Sequence, residues 1–221
     1  MTDPQRRYTP EEYLAFERAA EFKHEYVDGQ VYAMSRVREA HALLVGNAVV
    51  ALKTRLRGRP CRTYASALRV RVGSGRMYTY PDVAALCGKP AFADDTLDTL
   101  LNPSVLVEVL SDSTAAYDRG EKFAHYRTIA SLREYVLASQ HAVRVERFTR
   151  ADVGPWPGTV LEGADAVLEL PSVGCRIPLA ELYEDVELSP PARRPRRVRE
   201  PIALWPDVPR PASALAAEGA P

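Results

Sequence analysis

Lysine is almost missing from this chain: only four of its 29 basic residues are lysine, at positions 23, 53, 89 and 122. Cysteine is scarcer still. Cys61, Cys87 and Cys175 are odd in number and far apart, which on this reading rules out a disulfide scaffold and any Cys-x-x-Cys zinc site. The expectation is a reducing, cytoplasmic setting. No apolar run approaches the roughly 20 residues that a membrane span needs, and Met1 to Pro10 carry no hydrophobic signal region, so no membrane partner is expected. Net charge is absent too, at +0, which argues against a histone-like protein gripping nucleic acid over its whole surface but leaves room for a local groove. What is present is ordinary globular material. A chain of 221 residues, 46% apolar and 26% charged, can bury the core of one domain.

Proline is concentrated at one end. Residues 189–221 hold eight of the 18 prolines and six arginines against three acids. Proline at that density removes backbone donors and excludes helix and sheet interiors, so this tail reads as disordered and the folded domain as 1–188. The Arg193-Arg194-Pro195-Arg196-Arg197 cluster is read first as solvated linker and second as a phosphate contact.

The domain opens with a signalled helix: Thr9 at the N-cap, Pro10 in the first turn, and Glu12 completing a capping box. His24–Val27 and Gln30–Met34 flank Asp28-Gly29, a hairpin signal for a type I′ turn. A helix over about 39–57 follows from Leu44, Ala48, Leu52 and Leu56. The middle is strands: Leu68 to Val72 in half-buried alternation, Tyr78 to Cys87, then Pro103 to Ser111. A helix over about 114–129 precedes strands near 134–139, 142–148 and 166–170 and a last helical turn near 178–183. Helices flanking a mixed sheet give an α/β or α+β class with a central buried strand pair.

Glu108 is the most informative residue. It sits within Val105-Leu106-Val107-Glu108-Val109-Leu110, apolar on both faces, and an ionised carboxylate there costs several kcal/mol unless paired or bound to metal. The bland alternatives are a salt bridge to an arginine, or a strand end that reaches water. Asp82, in Tyr80-Pro81-Asp82-Val83-Ala84, repeats the pattern behind a proline that tolerates a strand's mouth. Together the two form a pair of hard oxygen ligands that suit Mg²⁺ or Mn²⁺. On the next helix Asp118, Lys122 and Tyr126 share one face. Asp118–Lys122 could be a plain surface ion pair worth a few tenths of a kcal/mol. Lysine in an arginine-writing chain favours a role for Lys122 as base or compact cation.

These residues, with YTPEEYL, KHEYVDGQVYAM, YTYPDVAALCG, NPSVLVEVLSDST and YDRGEKFAHYRTIASLREYVLASQ, resemble the putative restriction endonuclease family of the PD-(D/E)xK nuclease superfamily, over nearly all of 8–188. The resemblance implies a restriction-endonuclease-like core and DNA as the substrate, and it leaves room for a homodimer. Carried over, the Pro-Asp is Pro81-Asp82 and the strand acid is Glu108, with Mg²⁺ (or Mn²⁺) held by both. Glu25 matches an N-terminal acid that adds a metal contact, and the carbonyl of Val109 is a further ligand. Leu110 stands where the superfamily has lysine, so the resemblance moves that role to Lys122, held by Tyr126. The function expected is metal-dependent hydrolysis of DNA phosphodiesters. The rival is a nuclease-fold module that binds without cutting, which Leu110 favours.

Other residues attract blander readings. His41 reads as a partly exposed helix-end residue, His125 as a surface partner of Glu121, and Ser111 and Ser113 as a strand end and a helix cap. Tyr64 and Tyr80 could stack on bases but read as core.

Overall fold

The computed structural model describes residues 6–34, 37–188, 190 and 201–202. Its elements run α1 (Pro10–Ala19), β1 (His24–Val27), β2 (Gln30–Ala33), α2 (Glu39–Leu56), β3 (Cys61–Ala65), β4 (Arg69–Val72), β5 (Met77–Thr79), β6 (Val83–Cys87), β7 (Thr99–Leu100), β8 (Val105–Leu110), α3 (Ala115–Arg119), α4 (Glu121–Tyr126), β9 (Glu134–Ser139), β10 (Arg144–Thr149), β11 (Gly158–Glu162), β12 (Val167–Leu170), β13 (Cys175–Pro178) and α5 (Leu179–Leu182).

Two sheets share the work. One has strand order β2-β1-β5-β4-β7, the other β11-β10-β9-β8-β6-β3, and β12-β13 form a separate hairpin. The second sheet is mixed: β8 runs parallel to β9 and antiparallel to β6. Strand alternation sends one set of side chains to each face. Val105, Val107 and Val109 pack with Leu44, Ala48 and Leu52 of α2. Leu106 and Leu110 pack with Val70, Val72 and Met77 of the first sheet. The α1 helix covers the far face of that sheet through Tyr13, Tyr26 and Tyr78. The order of layers is therefore α1, first sheet, second sheet, α2, and β8 is buried along all six residues.

Local signals explain the joints. The α1 capping box forms as read, Thr9 Oγ1 accepting from the Glu12 amide and a Glu12 carboxylate oxygen accepting from the Thr9 amide. The β1–β2 turn has φ of 46° at Asp28 and 89° at Gly29, the left-handed pair that a type I′ turn needs. The stretch expected as one strand from Tyr78 to Cys87 is split: Pro81 ends one ladder, and the chain crosses from the first sheet to the second at Tyr80–Asp82. The single helix expected over 114–129 is two, because Gly120 leaves the helical region at φ −107°, ψ −95°. Arg69, expected on a solvated face, is buried and bonded to Thr99, Tyr80 and Asp98.

Two further expectations change. Cys61 and Cys87, 26 residues apart, stand opposite one another in the β3–β6 register and are disulfide-bonded. Antiparallel pairing, not sequence spacing, decides which cysteines meet, so the cysteine count no longer argues for a reducing compartment. Of the tail, only Pro190, Pro201 and Ile202 are described, and the Arg193–Arg197 cluster lies outside the described residues. Ile202 returns to the domain. It bridges Val31 on the edge strand β2, its amide 2.7 Å from the Val31 carbonyl, and packs beside the tyrosine cluster under α1. Among the described residues no helix is long and apolar enough to cross a membrane.

Candidate active site

The crossing at Tyr80–Asp82 puts a carboxylate at the mouth of β6. The β6–β8 register pairs Val83 with Val107 and Ala84 with Leu106, and one more step sets Asp82 opposite Glu108. By strand parity Glu108 faces the interior shared by the two sheets, while Asp82 stands just before β6 at the end of its ladder. The Asp82 carboxylate is held at each oxygen: Oδ2 accepts the Val109 amide at 2.7 Å, and Oδ1 lies 3.0 Å from His41 Nε2. Pro81 suits this spot because the ladder ends there and no amide donor is lost.

Glu108 is 4% exposed. Its Oε1 accepts from the Tyr126 hydroxyl at 2.7 Å and from Lys122 Nζ at 2.8 Å. The ammonium of Lys122 also lies 3.5 Å from Glu25 and 3.7 Å from Asp118. One buried cation thus faces three buried carboxylates. Glu25 comes from the inward face of β1, where its Oε1 also accepts the Thr79 hydroxyl. Asp118 sits on α3 and Lys122 on α4, so their i,i+4 relation survives the break at Gly120.

These contacts set the protonation states. Burial raises the Glu108 carboxyl, with help from the nearby charges of Asp82 and Asp118 and against the pull of Lys122, to about 8. Burial likewise raises Asp118. Burial alone would lower Lys122, but Glu108, Glu25 and Asp118 outweigh it and hold the ammonium well above its usual range. The three carboxylates thus favour the charged form of Lys122. Burial and the adjacent Glu108 push the Tyr126 phenol well up, so it stays a donor.

The donor set fits a hard divalent cation at Asp82 and Glu108. Mg²⁺ is characteristically held by one or two carboxylates, with waters and substrate oxygens completing the octahedron. Among the described residues no group of three His, Cys, Asp or Glu side chains is gathered closely enough to hold a metal ion. Glu25 accordingly reaches the centre through Lys122 and Thr79.

The structure brings together Asp82, Glu108, Glu25, Lys122 and Tyr126, and links Val109 to them through its amide. Tyr126 differs in detail from expectation: its hydroxyl holds Glu108, and its ring lies 5.8 Å from the Lys122 ammonium. The partner of Glu108 is this lysine and not an arginine. Sequence reasoning missed three participants. His41 reaches Asp82, Asp118 is buried at 3% exposure, and Thr79 braces Glu25. The readable signals were His41 opening an apolar helix and Asp118 four residues before Lys122, a spacing that equally suits a surface pair. His125 Nε2 lies 4.0 Å from a carboxylate oxygen of Asp28 in the β1–β2 turn. Tyr80 is core as expected, bonded to Glu17 and Arg69.

Known proteins share the sequence family and the fold of this chain. The sequence profile of the family described as Uma2, putative restriction endonuclease, matches residues 10–180. An uncharacterized protein of Synechocystis sp., sll1609, is 34% identical over 161 residues, 73% of this chain and 91% of that protein. A second from the same organism, slr1290, is 34% identical over 177 residues, 80% of this chain and 92% of its own length. The crystal structure of a putative nuclease belonging to DUF820 from Anabaena variabilis superposes with a TM-score of 0.66 at 17% identity, covering 80% of this chain and 97% of that one. The mixed α/β architecture is thus that of a nuclease-type fold, and the chain belongs to the putative restriction endonuclease family.

Proposed function

We propose that the protein is a metal-dependent endonuclease that hydrolyses phosphodiester bonds in DNA. The observation that carries this reading is Asp82 at the mouth of β6 beside the neighbouring strand β8 that holds Glu108, its Oδ2 on the Val109 amide, with Lys122 Nζ 2.8 Å from Glu108. Asp82 and Glu108 would hold Mg²⁺ or Mn²⁺, with the Val109 carbonyl as a further ligand and Glu25 contributing through water. The ion, when bound, lowers the pKa of water and neutralises charge on the phosphate. The remaining work falls to the chain. Tyr126 and the Val109 amide orient the two carboxylates, and the ammonium of Lys122 stabilises the charge that develops on the pentavalent phosphorus centre. Glu25 and Asp118 keep that ammonium charged and aimed.

Leu110 supported a non-cutting module, because it replaces the superfamily lysine. Lys122 weighs against that rival, since its ammonium reaches Glu108 from α4. The test is nicking of supercoiled DNA. Cleavage is expected with Mg²⁺ or Mn²⁺, not with EDTA, and not by Asp82→Ala or Glu108→Ala. Wild-type rates in both variants would overturn the assignment, and intact folding with metal bound but no cleavage of any DNA would return the non-cutting module.

A further inference from the structure

We propose that His41 is a positioning residue of the metal site, its Nε2–H holding the Asp82 carboxylate in the orientation that receives a divalent cation. The proposal rests on the metal-site reading above. Asp82 can only accept, so the 3.0 Å contact requires His41 Nε2 to be the donor. The Val109 amide fixes the other oxygen at 2.7 Å. One contact alone would leave the carboxylate free to swing about it, because rotation about the bond to an sp² carboxyl is soft. Two contacts, one on each oxygen, restrain its plane and leave a lone pair on each oxygen for a cation.

The two donors are rigidly mounted. Val109 lies in the central buried strand, and His41 lies in the first turn of the 18-residue α2, whose Leu44, Ala48 and Leu52 pack on that strand's outer face. The His41–Asp82 contact is largely shielded, each side chain 12% exposed. Hydrogen bonds to ligating carboxylates of this kind affect metal affinity by roughly 10–100-fold.

The experiment is Mn²⁺ titration of the full chain, followed by the electron paramagnetic resonance signal of free Mn²⁺, with the metal-free melting temperature measured alongside. His41→Phe keeps a ring and removes the donor. It should weaken Mn²⁺ binding about 10–100-fold while lowering the metal-free melting temperature only modestly, by the loss of one partner of a largely shielded carboxylate. His41→Gln places an amide N–H where Nε2 was and should recover most of the affinity. If His41→Phe does not fold, His41→Ala against His41→Gln gives the same contrast. Wild-type affinity in His41→Phe, or equal weakening in His41→Gln, overturns the role of His41 alone. A wild type that binds no Mn²⁺ overturns both this role and the metal site.

Discussion

Raising the pH should destabilise the metal-free protein through Glu108, and by an amount large enough to measure. The folded carboxyl titrates at about 8 against an ordinary value of 4.5. Between those values the unfolded chain has released this proton and the folded chain keeps it, so unfolding releases a proton and stability falls as pH rises. The contribution is complete below 4.5, declines through the window and is gone above about 8. At about 1.36 kcal/mol per unit, the shift from 4.5 to about 8 sets a ceiling of about 5 kcal/mol. Asp118, raised by burial, acts in the same direction. The surface Asp94 and Asp98, lowered by hydrogen bonds to Thr96, Arg18 and Thr99, act only at acid pH. Urea unfolding in EDTA from pH 5 to 8.5 should therefore show wild type losing a few kcal/mol while Glu108→Gln stays nearly flat. In melting temperature that is several degrees for a domain of this size. Equal pH slopes in the two proteins would refute the reasoning, because Glu108 would then be ionised throughout.

Four other outcomes follow from the same contacts. Lys122→Met should cut on the order of 10²-fold more slowly, and Lys122→Arg should rescue it poorly, since a guanidinium does not fit a place shaped by three carboxylates around a point charge. Measured at neutral pH without metal, Lys122→Met should also be destabilised by about 3–5 kcal/mol, whereas a surface pair would lose almost nothing. Reduction of Cys61–Cys87, which closes a loop of 26 residues, should lower stability by about 2–4 kcal/mol, read as the melting temperature with and without dithiothreitol. Truncation after Leu188 should lower the melting temperature slightly, because Ile202 no longer covers Val31, and an unchanged value would mean that this bridge adds nothing.

How much of this was legible in the sequence depended on whether a contact is local. Glu108 was readable because an acid inside Val105–Leu110 breaks an otherwise apolar strand. Asp82 was readable because Pro81 marks a strand's mouth. Lys122 and Tyr126 were readable from helical register, and Gly120 carried an unused warning that the helix breaks. The partners were not readable. Asp82 meets His41 across 41 residues and Val109 across 27, and no periodicity links those positions. The same holds for Cys61–Cys87 and for Thr79 with Glu25, where strand register makes the contact. Burial of Asp118 depends on how α3 packs against β8 and Tyr135, whose hydroxyl bonds the Asp118 carbonyl, and its sequence alone looks like that of any surface acid.

The most direct measurement of the central claim is anomalous scattering from crystals of the protein soaked in Mn²⁺ with a short DNA duplex. A single strong peak between the carboxylates of Asp82 and Glu108, with a phosphate oxygen beside it and the Lys122 ammonium facing that phosphate, is the result expected. Density there without manganese, with Lys122 still closed on Glu108 while DNA lies bound elsewhere, would contradict it and make the cluster a structural ion pair.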